Sequence, residues 1–339
     1  MHSSLNNLVL EVKGLRTSFY TSEGDIPAVD DIDLHVERGE ILGVVGESGC
    51  GKSVTSLSIM GLIPSPPGRI VAGQILFEGD NLLDASEKKM RSIRGDDIAM
   101  IFQEPMTSLN PLFTIGNQLI EALSTHRSWS KKRYQERAVA MLELVGLPRA
   151  RELMHAYPHE LSGGMRQRVM IAMAIICDPK LLIADEPTTA LDVTIQKQIL
   201  RLMKKINDTL GTSIMVITHD LGVVAEICDR VVVMYAGKIV EEGSVESLFH
   251  HPSHPYTKGL LASVPDIRSK SETLYSIPGN VPKPGSIMKG CRFAQRCTSV
   301  MDHCFTEDPP LISIKDSSQK VRCFLYNGEE EPAHEATTP

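Results

Sequence analysis

Five short runs of apolar, largely β-branched residues punctuate the chain: Ile41 to Val45, Ile98 to Phe102, Leu181 to Ala184, Ile214 to Thr218 and Val231 to Tyr235. Each is continuous rather than alternating, the pattern of a strand covered on both faces. Between them the period changes. Tyr134, Ala138, Met141, Leu142 and Val145 recur at i, i+4, i+7, i+8 and i+11, which lines one face of a helix. Alternation of the two periods predicts a largely parallel α/β sheet. The stretch from about Thr114 to Tyr157 holds helical periods and no convincing strand, so a helical subdomain inserted into the sheet unit is expected there.

Composition narrows the class. The chain has 339 residues, 42% of them hydrophobic, and a net charge of −7, which describes a globular protein large enough to bury its own core without disulfide staples. The longest uninterrupted apolar stretch, Val169 to Cys177, falls far short of the roughly 20 residues that a spanning helix needs. The opening Met1-His-Ser-Ser lacks a basic start and an apolar block, so a cytoplasmic location is expected. Net acidity without a dense Lys/Arg block disfavours nucleic acid, whose binding needs many basic contacts; Lys131-Lys132-Arg133 reads as a solvated helix face. After about Pro265 the character shifts, with Pro278, Pro282, Pro284, Pro309 and Pro310 and four of the seven cysteines. An appended small module is expected over 266–327, and a disordered acidic tail over 328–339.

The chemistry starts at Gly46-Glu47-Ser48-Gly49-Cys50-Gly51-Lys52-Ser53, followed by Val54, which fits G-x-x-x-x-G-K-[ST] between a strand and a helix. Glycines let consecutive N–H groups turn inward onto phosphate oxygens, and the helix N-terminus adds its dipole. Lys52 is expected to neutralise the β- and γ-phosphates and Ser53 to ligate Mg²⁺. Cys50, inside the loop, is a candidate alkylation-sensitive thiol. Leu181-Leu-Ile-Ala-Asp185-Glu186 is an apolar strand ending in two carboxylates. It suits Asp185 as a Mg²⁺ ligand and Glu186 as the acceptor of a proton from attacking water.

A third element, Leu161-Ser162-Gly163-Gly164-Met165-Arg-Gln167, lies 18 residues before Asp185. A hydroxyl and exposed amides ahead of a helix make a second anion site. Here the sequence resembles the nucleotide-binding subunits of ABC transporters, whose signature loop reads LSGGQ, with Met165 in place of the glutamine. The resemblance covers roughly residues 8 to 325. It implies a P-loop NTPase fold with a RecA-like core sheet, an antiparallel β subdomain and an inserted helical subdomain, about 114–175 once the signature helix is included, within an ATP-binding domain over 8–265. It further implies that Gln103 is the Q-loop glutamine sensing Mg²⁺ and the γ-phosphate, that Glu104 to Pro111 faces a membrane subunit, and that His219 is the switch histidine. Thr218-His219-Asp220 also suits a helix cap. Ala190-Leu191-Asp192 resembles the D-loop, and Phe19 or Tyr20 is expected to stack on adenine. In this family the signature loop of one subunit, here Ser162, Gly163 and Gly164, closes on ATP held by the phosphate loop of another.

The tail refines the branch. His251-Pro-Ser-His254-Pro-Tyr256, followed by Leu260 to Pro265, resembles the C-terminal signature of the oligopeptide and dipeptide ATPases; prolines after both histidines read as a rigid turn rather than a metal site. Cys291, Cys297, Cys304 and Cys323 are spaced C-x₅-C-x₆-C-x₁₈-C. Four thiolates fit zinc or an iron–sulfur cluster, reduced unligated thiols or disulfides are the further alternative, and the branch resemblance points to 4Fe-4S. The expected function is therefore an ATPase subunit of a peptide importer at the cytoplasmic membrane face. A second ATPase, forming a heterodimer, two permease subunits and an extracellular binding protein would be its partners. Nickel is an alternative cargo, and the tail is a candidate redox or metal sensor. Nucleic-acid maintenance ATPases share the signature loop but resemble chains with long insertions, whereas Leu161 follows only 108 positions after Ser53 here.

Overall fold

The computed structural model describes residues 7–22, 24–103, 109–188, 192–264, 275–283, 285–286, 289–315 and 317–326. The expected tail over 328–339, most of Glu104 to Pro111, and Ala190-Leu191 lie outside them. Strand β1 (Leu8–Thr21) pairs antiparallel with β2 (Gly24–Glu37) on one side and β4 (Gly68–Phe77) on the other, and β5 (Asp80–Asn81) completes a four-stranded sheet. The predicted apolar runs form the parallel part of a second sheet. There β9 (Arg230–Tyr235), β3 (Ile41–Val45), β8 (Ser213–Thr218), β7 (Leu181–Asp185) and β6 (Ile98–Ile101) lie side by side, all parallel. Phe102, expected in the last of these, falls beyond its end and is half exposed.

Each central strand is buried on both faces because its alternate side chains serve two layers. Leu182, Ala184, Ile214 and Val216 pack into the helical layer, whereas Leu181, Ile183, Met215 and Ile217 face the antiparallel sheet, where they meet Leu15, Val29 and Ile32. Full burial of such a side chain is worth about 1.5–3 kcal/mol. These strands therefore hold the sheet's carboxyl edge, where the loops of interest emerge, in place.

Helices α1 (Lys52–Ile59) and α2 (Glu87–Ile93) precede β6, and between β6 and β7 the α-helices are α3 (Ile115–His126), α4 (Lys131–Leu144), the single turn α5 (Ala150–Leu153) and α6 (Gly163–Ile175). Thr114, Ser130 and Ser162 cap the three longer ones by accepting the N–H three residues on. Helix α7 (Val193–Leu210) starts on the Asp192 cap and stops at Gly211, which takes a left-handed conformation at φ 67°. It buries Ile199, Leu202, Met203 and Ile206 against the sheet.

The C-terminal segment departs from expectation. It does not stand apart as a small module. Strand β12 (Lys320–Val321) pairs with β10 (Lys238–Ser244), which continues antiparallel from β9, and β11 (Ile312–Ser313) extends the same edge. Phe293 packs edge-on to Tyr235, their ring centroids 5.2 Å apart. A segment this short cannot bury a core of its own, so its apolar side chains are buried against the larger sheet unit.

Candidate active site

The loop from Gly46 to Ser53 leaves the carboxyl end of β3 and turns into helix α1 (Lys52–Ile59). Its bend depends on two glycines. A Cβ at residue 46 would lie 2.2 Å from the Met234 carbonyl oxygen, and one at Gly51, where φ is 102°, would lie 2.5 Å from that of Ala28. Lys52 is buried, and its Nζ donates to the Gly46 and Glu47 carbonyls at 2.7 and 3.0 Å. The cation is thus centred inside the loop.

Across the loop, Ser53 Oγ donates to Asp185 Oδ1 at 3.1 Å. Burial pushes the Asp185 carboxyl above its ordinary range, with the Ser53 bond and the Lys52 charge opposing and Glu186 adding to the rise. A hydroxyl and a buried carboxylate facing one another supply the hard oxygen donors that Mg²⁺ takes.

Glu186 follows at once, with φ at 49°, a left-handed conformation uncommon for a residue carrying a Cβ. The conformation is held from three sides. Its N–H donates to the Ile217 carbonyl at 2.9 Å, Gln103 Nε2 donates to Oε2 at 3.0 Å, and His219 Nδ1 lies 3.1 Å from Oε1. Strain at such a position costs of order 1–3 kcal/mol and is typical of functional sites. It aims one carboxylate at the mouth of the loop.

A cavity of about 370 Å³ opens there, lined by Phe19, Ser48, Gly49, Lys52, Gln103 and Glu186 among others, with Gly51, Ser53 and Val54 beside them. Phe19 and Tyr20 alternate along β1, so only one of them can face it. Phe19 does, and Tyr20 is 50% exposed. A larger cavity of about 520 Å³ among α3, α4 and Met154 holds none of these groups.

Three loop residues expected to contact ligand point elsewhere. Gly46 is packed under Met234. Cys50 is fully buried and burial raises its thiol, so the expected alkylation sensitivity is not a property of this conformation. Glu47 turns away from the cavity: its N–H donates to Tyr256 Oη at 2.9 Å and its carboxylate pairs with Arg296. Sequence reading missed Arg296 and assigned Tyr256 no part in the loop, because both reach it only through the fold. Ser162, Gly163, Gly164 and Asp192 also line no part of the cavity. Ser162 and Asp192 cap their own helices, and the space a Cβ would occupy at Gly163 is open.

The cysteines of the tail give a second correction. Burial pushes the Cys291 thiol up to about 12 and that of Cys323 to about 11, and the charges of neighbouring cysteines add to each rise. Yet among the described residues no group of three or more His, Cys, Asp or Glu side chains is placed to hold a metal ion. The four-thiolate set of Cys291, Cys297, Cys304 and Cys323 is not assembled as a ligand cage. Neutral thiols pack as small apolar groups, and Cys291 and Cys297 lie against the Tyr235, Tyr256 and Phe293 cluster. His254 is a buried cap, its Nδ1 accepting from the Tyr256 N–H at 3.0 Å.

Comparison with known proteins agrees with this geometry. Residues 29–189 match the family described as ABC transporter, and residues 240–304 match the oligopeptide/dipeptide transporter C-terminal region. The chain is 54% identical to the oligopeptide transport ATP-binding protein AppD of Bacillus subtilis (strain 168), an alignment covering 97% of this chain and 99% of that one. It is 51% identical to the dipeptide transport ATP-binding protein DppD of the same organism, covering 96% and 97%. Among solved structures, a dimeric post-hydrolysis ATP-binding cassette bound to ADP and Pi is similar with a TM-score of 0.62 and 28% identity, over 70% of this chain and 98% of that one.

Proposed function

Because the chain belongs to the ABC transporter ATP-binding family, we propose that it is the ATP-hydrolysing subunit of a peptide importer. The observation that carries this reading is the convergence of Lys52, Ser53, Gln103 and Glu186 at one cavity beside a phosphate-binding loop, with Asp185 bonded to Ser53 and His219 to Glu186. Ser53 and Asp185 would hold Mg²⁺, which when bound neutralises charge on the phosphates. Phe19 offers adenine a stacking face and the loop amides from Ser48 to Ser53 receive the phosphates. Lys52 pairs with the outer phosphates. Glu186 accepts a proton from the attacking water, held in place by Gln103 on one oxygen and His219 on the other. Little covalent work remains for the protein, so positioning and charge stabilisation dominate.

Ser162, Gly163, Gly164 and Asp192 stand outside this cavity, which is consistent with their serving the nucleotide of a second ATPase subunit; we infer a heterodimer. ATP closes the pair, and loss of the γ-phosphate opens it. No helix among the described residues is long and apolar enough to cross a membrane. The motion would then be passed to permease subunits at the cytoplasmic membrane face, with an extracellular peptide-binding protein delivering cargo. We take residues 8–265 as the ATP-binding domain and 266–327 as the C-terminal region docked on it.

The main experiment is co-purification from membranes with labelled-peptide uptake. Permeases should co-purify, and Glu186→Gln should abolish uptake while trapping an ATP-bound pair. Wild-type chain that neither binds ATP nor associates with permeases would overturn the proposal.

A further inference from the structure

Glu47 presents an electrostatic problem that the fold solves from a distance. It places a carboxylate in a loop built to bind a polyanion, where it would repel phosphate unless neutralised. Arg296, 249 residues later, does so with a two-pronged pair, Nη1 to Oε2 at 2.8 Å and Nη2 to Oε1 at 3.1 Å. The guanidinium is itself fixed. Nε donates to the Pro278 carbonyl at 2.8 Å, Nη1 to Tyr235 Oη at 3.3 Å and Nη2 to the Ile277 carbonyl at 3.3 Å. Five donors thus meet five acceptors, and the Arg296 side chain is only 5% exposed.

The backbone of the same loop residue is held independently. Its N–H donates to Tyr256 Oη, and Tyr256 is wedged against Tyr235 and Phe293 with ring centroids 4.6 and 5.4 Å away. Both anchors come from beyond residue 240, within the stretch that matches the C-terminal region of peptide transporters. One removes the charge of Glu47 from the path of the phosphates; the other pulls its amide out of the ring of donors.

We propose that Arg296 and Tyr256 are positioning residues for the nucleotide, acting through Glu47 to set the shape and the charge of the phosphate-binding loop. This rests on the ATP-binding reading above. It makes the C-terminal segment a working part of the ATP site, and it assigns a role to the tyrosine that ends His254-Pro255-Tyr256.

The test is MgATP affinity by calorimetry on the full chain, with Glu186→Gln throughout to stop turnover. Arg296→Gln should weaken binding about tenfold or more by leaving the Glu47 charge uncompensated. Arg296→Lys, which keeps the charge but not the fork, should recover only part of the loss. Adding Glu47→Gln to Arg296→Gln should restore affinity to within about threefold of the parent, a rescue that a general packing defect would not show. Tyr256→Phe removes one acceptor while keeping the aromatic core, so it serves if Arg296→Gln does not fold. It should weaken binding several-fold, and in chains carrying native Glu186 it should raise KM with little change in kcat. Folded variants that bind MgATP like the parent, or a double variant no better than Arg296→Gln alone, would overturn the proposal. A parent that binds no MgATP would instead overturn the ATP-binding reading.

Discussion

Ser53 Oγ donates to Asp185 Oδ1 at 3.1 Å across 132 residues of sequence. This bond ties the start of helix α1 to the end of strand β7, and it sets two oxygen donors face to face at the bottom of the ATP cavity. Asp185 is buried, and burial holds its carboxyl above the ordinary range.

A raised folded-state pKa means that ionised Asp185 weakens the fold at pH above that pKa, and protonation relieves the penalty as pH falls. Asp185→Asn keeps the acceptor for Ser53 but cannot ionise. It should raise the Tm of nucleotide-free chain at pH 7.5, with the gap narrowing toward pH 5, and it should lose Mg²⁺-dependent hydrolysis. Scanning calorimetry at both pH values checks this. A lower Tm at pH 7.5 would show that the ionised carboxylate is not under strain.

Glu186 sits where one proton must be taken from water, and its left-handed backbone is held by the Ile217 carbonyl as well as by its side-chain partners. Glu186→Gln should cut phosphate release by about 10²–10⁴-fold while leaving ATP affinity within a few-fold. Gel filtration with ATP should then show a larger species than without it. Retained hydrolysis would remove Glu186 as the base.

Alternation along β1 decides between two neighbouring aromatics. Phe19 lines the cavity and Tyr20 is exposed. Since a base-stacking side chain is worth about 1–3 kcal/mol, Phe19→Ala should weaken ATP binding about tenfold, whereas Tyr20→Ala should change it less than twofold. The reverse order in a fluorescent-nucleotide titration would place the adenine on the other ring.

His254 is fully buried as a helix cap, and burial lowers its pKa to about 3 from the ordinary 6.5. A depressed folded-state pKa means that the unfolded chain takes up the proton first. Stability is therefore intact above pH 6.5 and falls as pH drops toward the folded value, by about 2 kcal/mol between pH 6.5 and pH 5 from this group. His254→Asn keeps a cap without a titrating ring, so its urea midpoint should vary less over that range than the wild type's. Equal slopes would mean that protonation of His254 does not limit acid stability.

The central sheet was legible because strands buried on both faces leave unbroken apolar runs, and one helix start was legible through Ser162. The core of the site was legible too: the glycine spacing before Lys52 and the carboxylates ending an apolar strand are local patterns with local reasons. Other features were not. Nothing in the sequence says which of Phe19 and Tyr20 faces inward until the register of β1 is known, and nothing beside Cys50 announces that its thiol is sealed. The tail misled most, since proline and cysteine spacing suggested a separate metal-holding module while the chain pairs Val321 with Glu241 and packs Phe293 against Tyr235.

By itself the amino-acid order determined the class of chemistry, because phosphate-binding loops and strand-end carboxylates act through backbone geometry set within a few neighbours. Only the tertiary structure decided that Arg296 and Tyr256 belong to the same site as Glu47. An ion pair between residues 249 positions apart has no periodicity or spacing to betray it: it exists because the C-terminal segment, too small to bury its own side chains, must bury them against the loop that binds ATP.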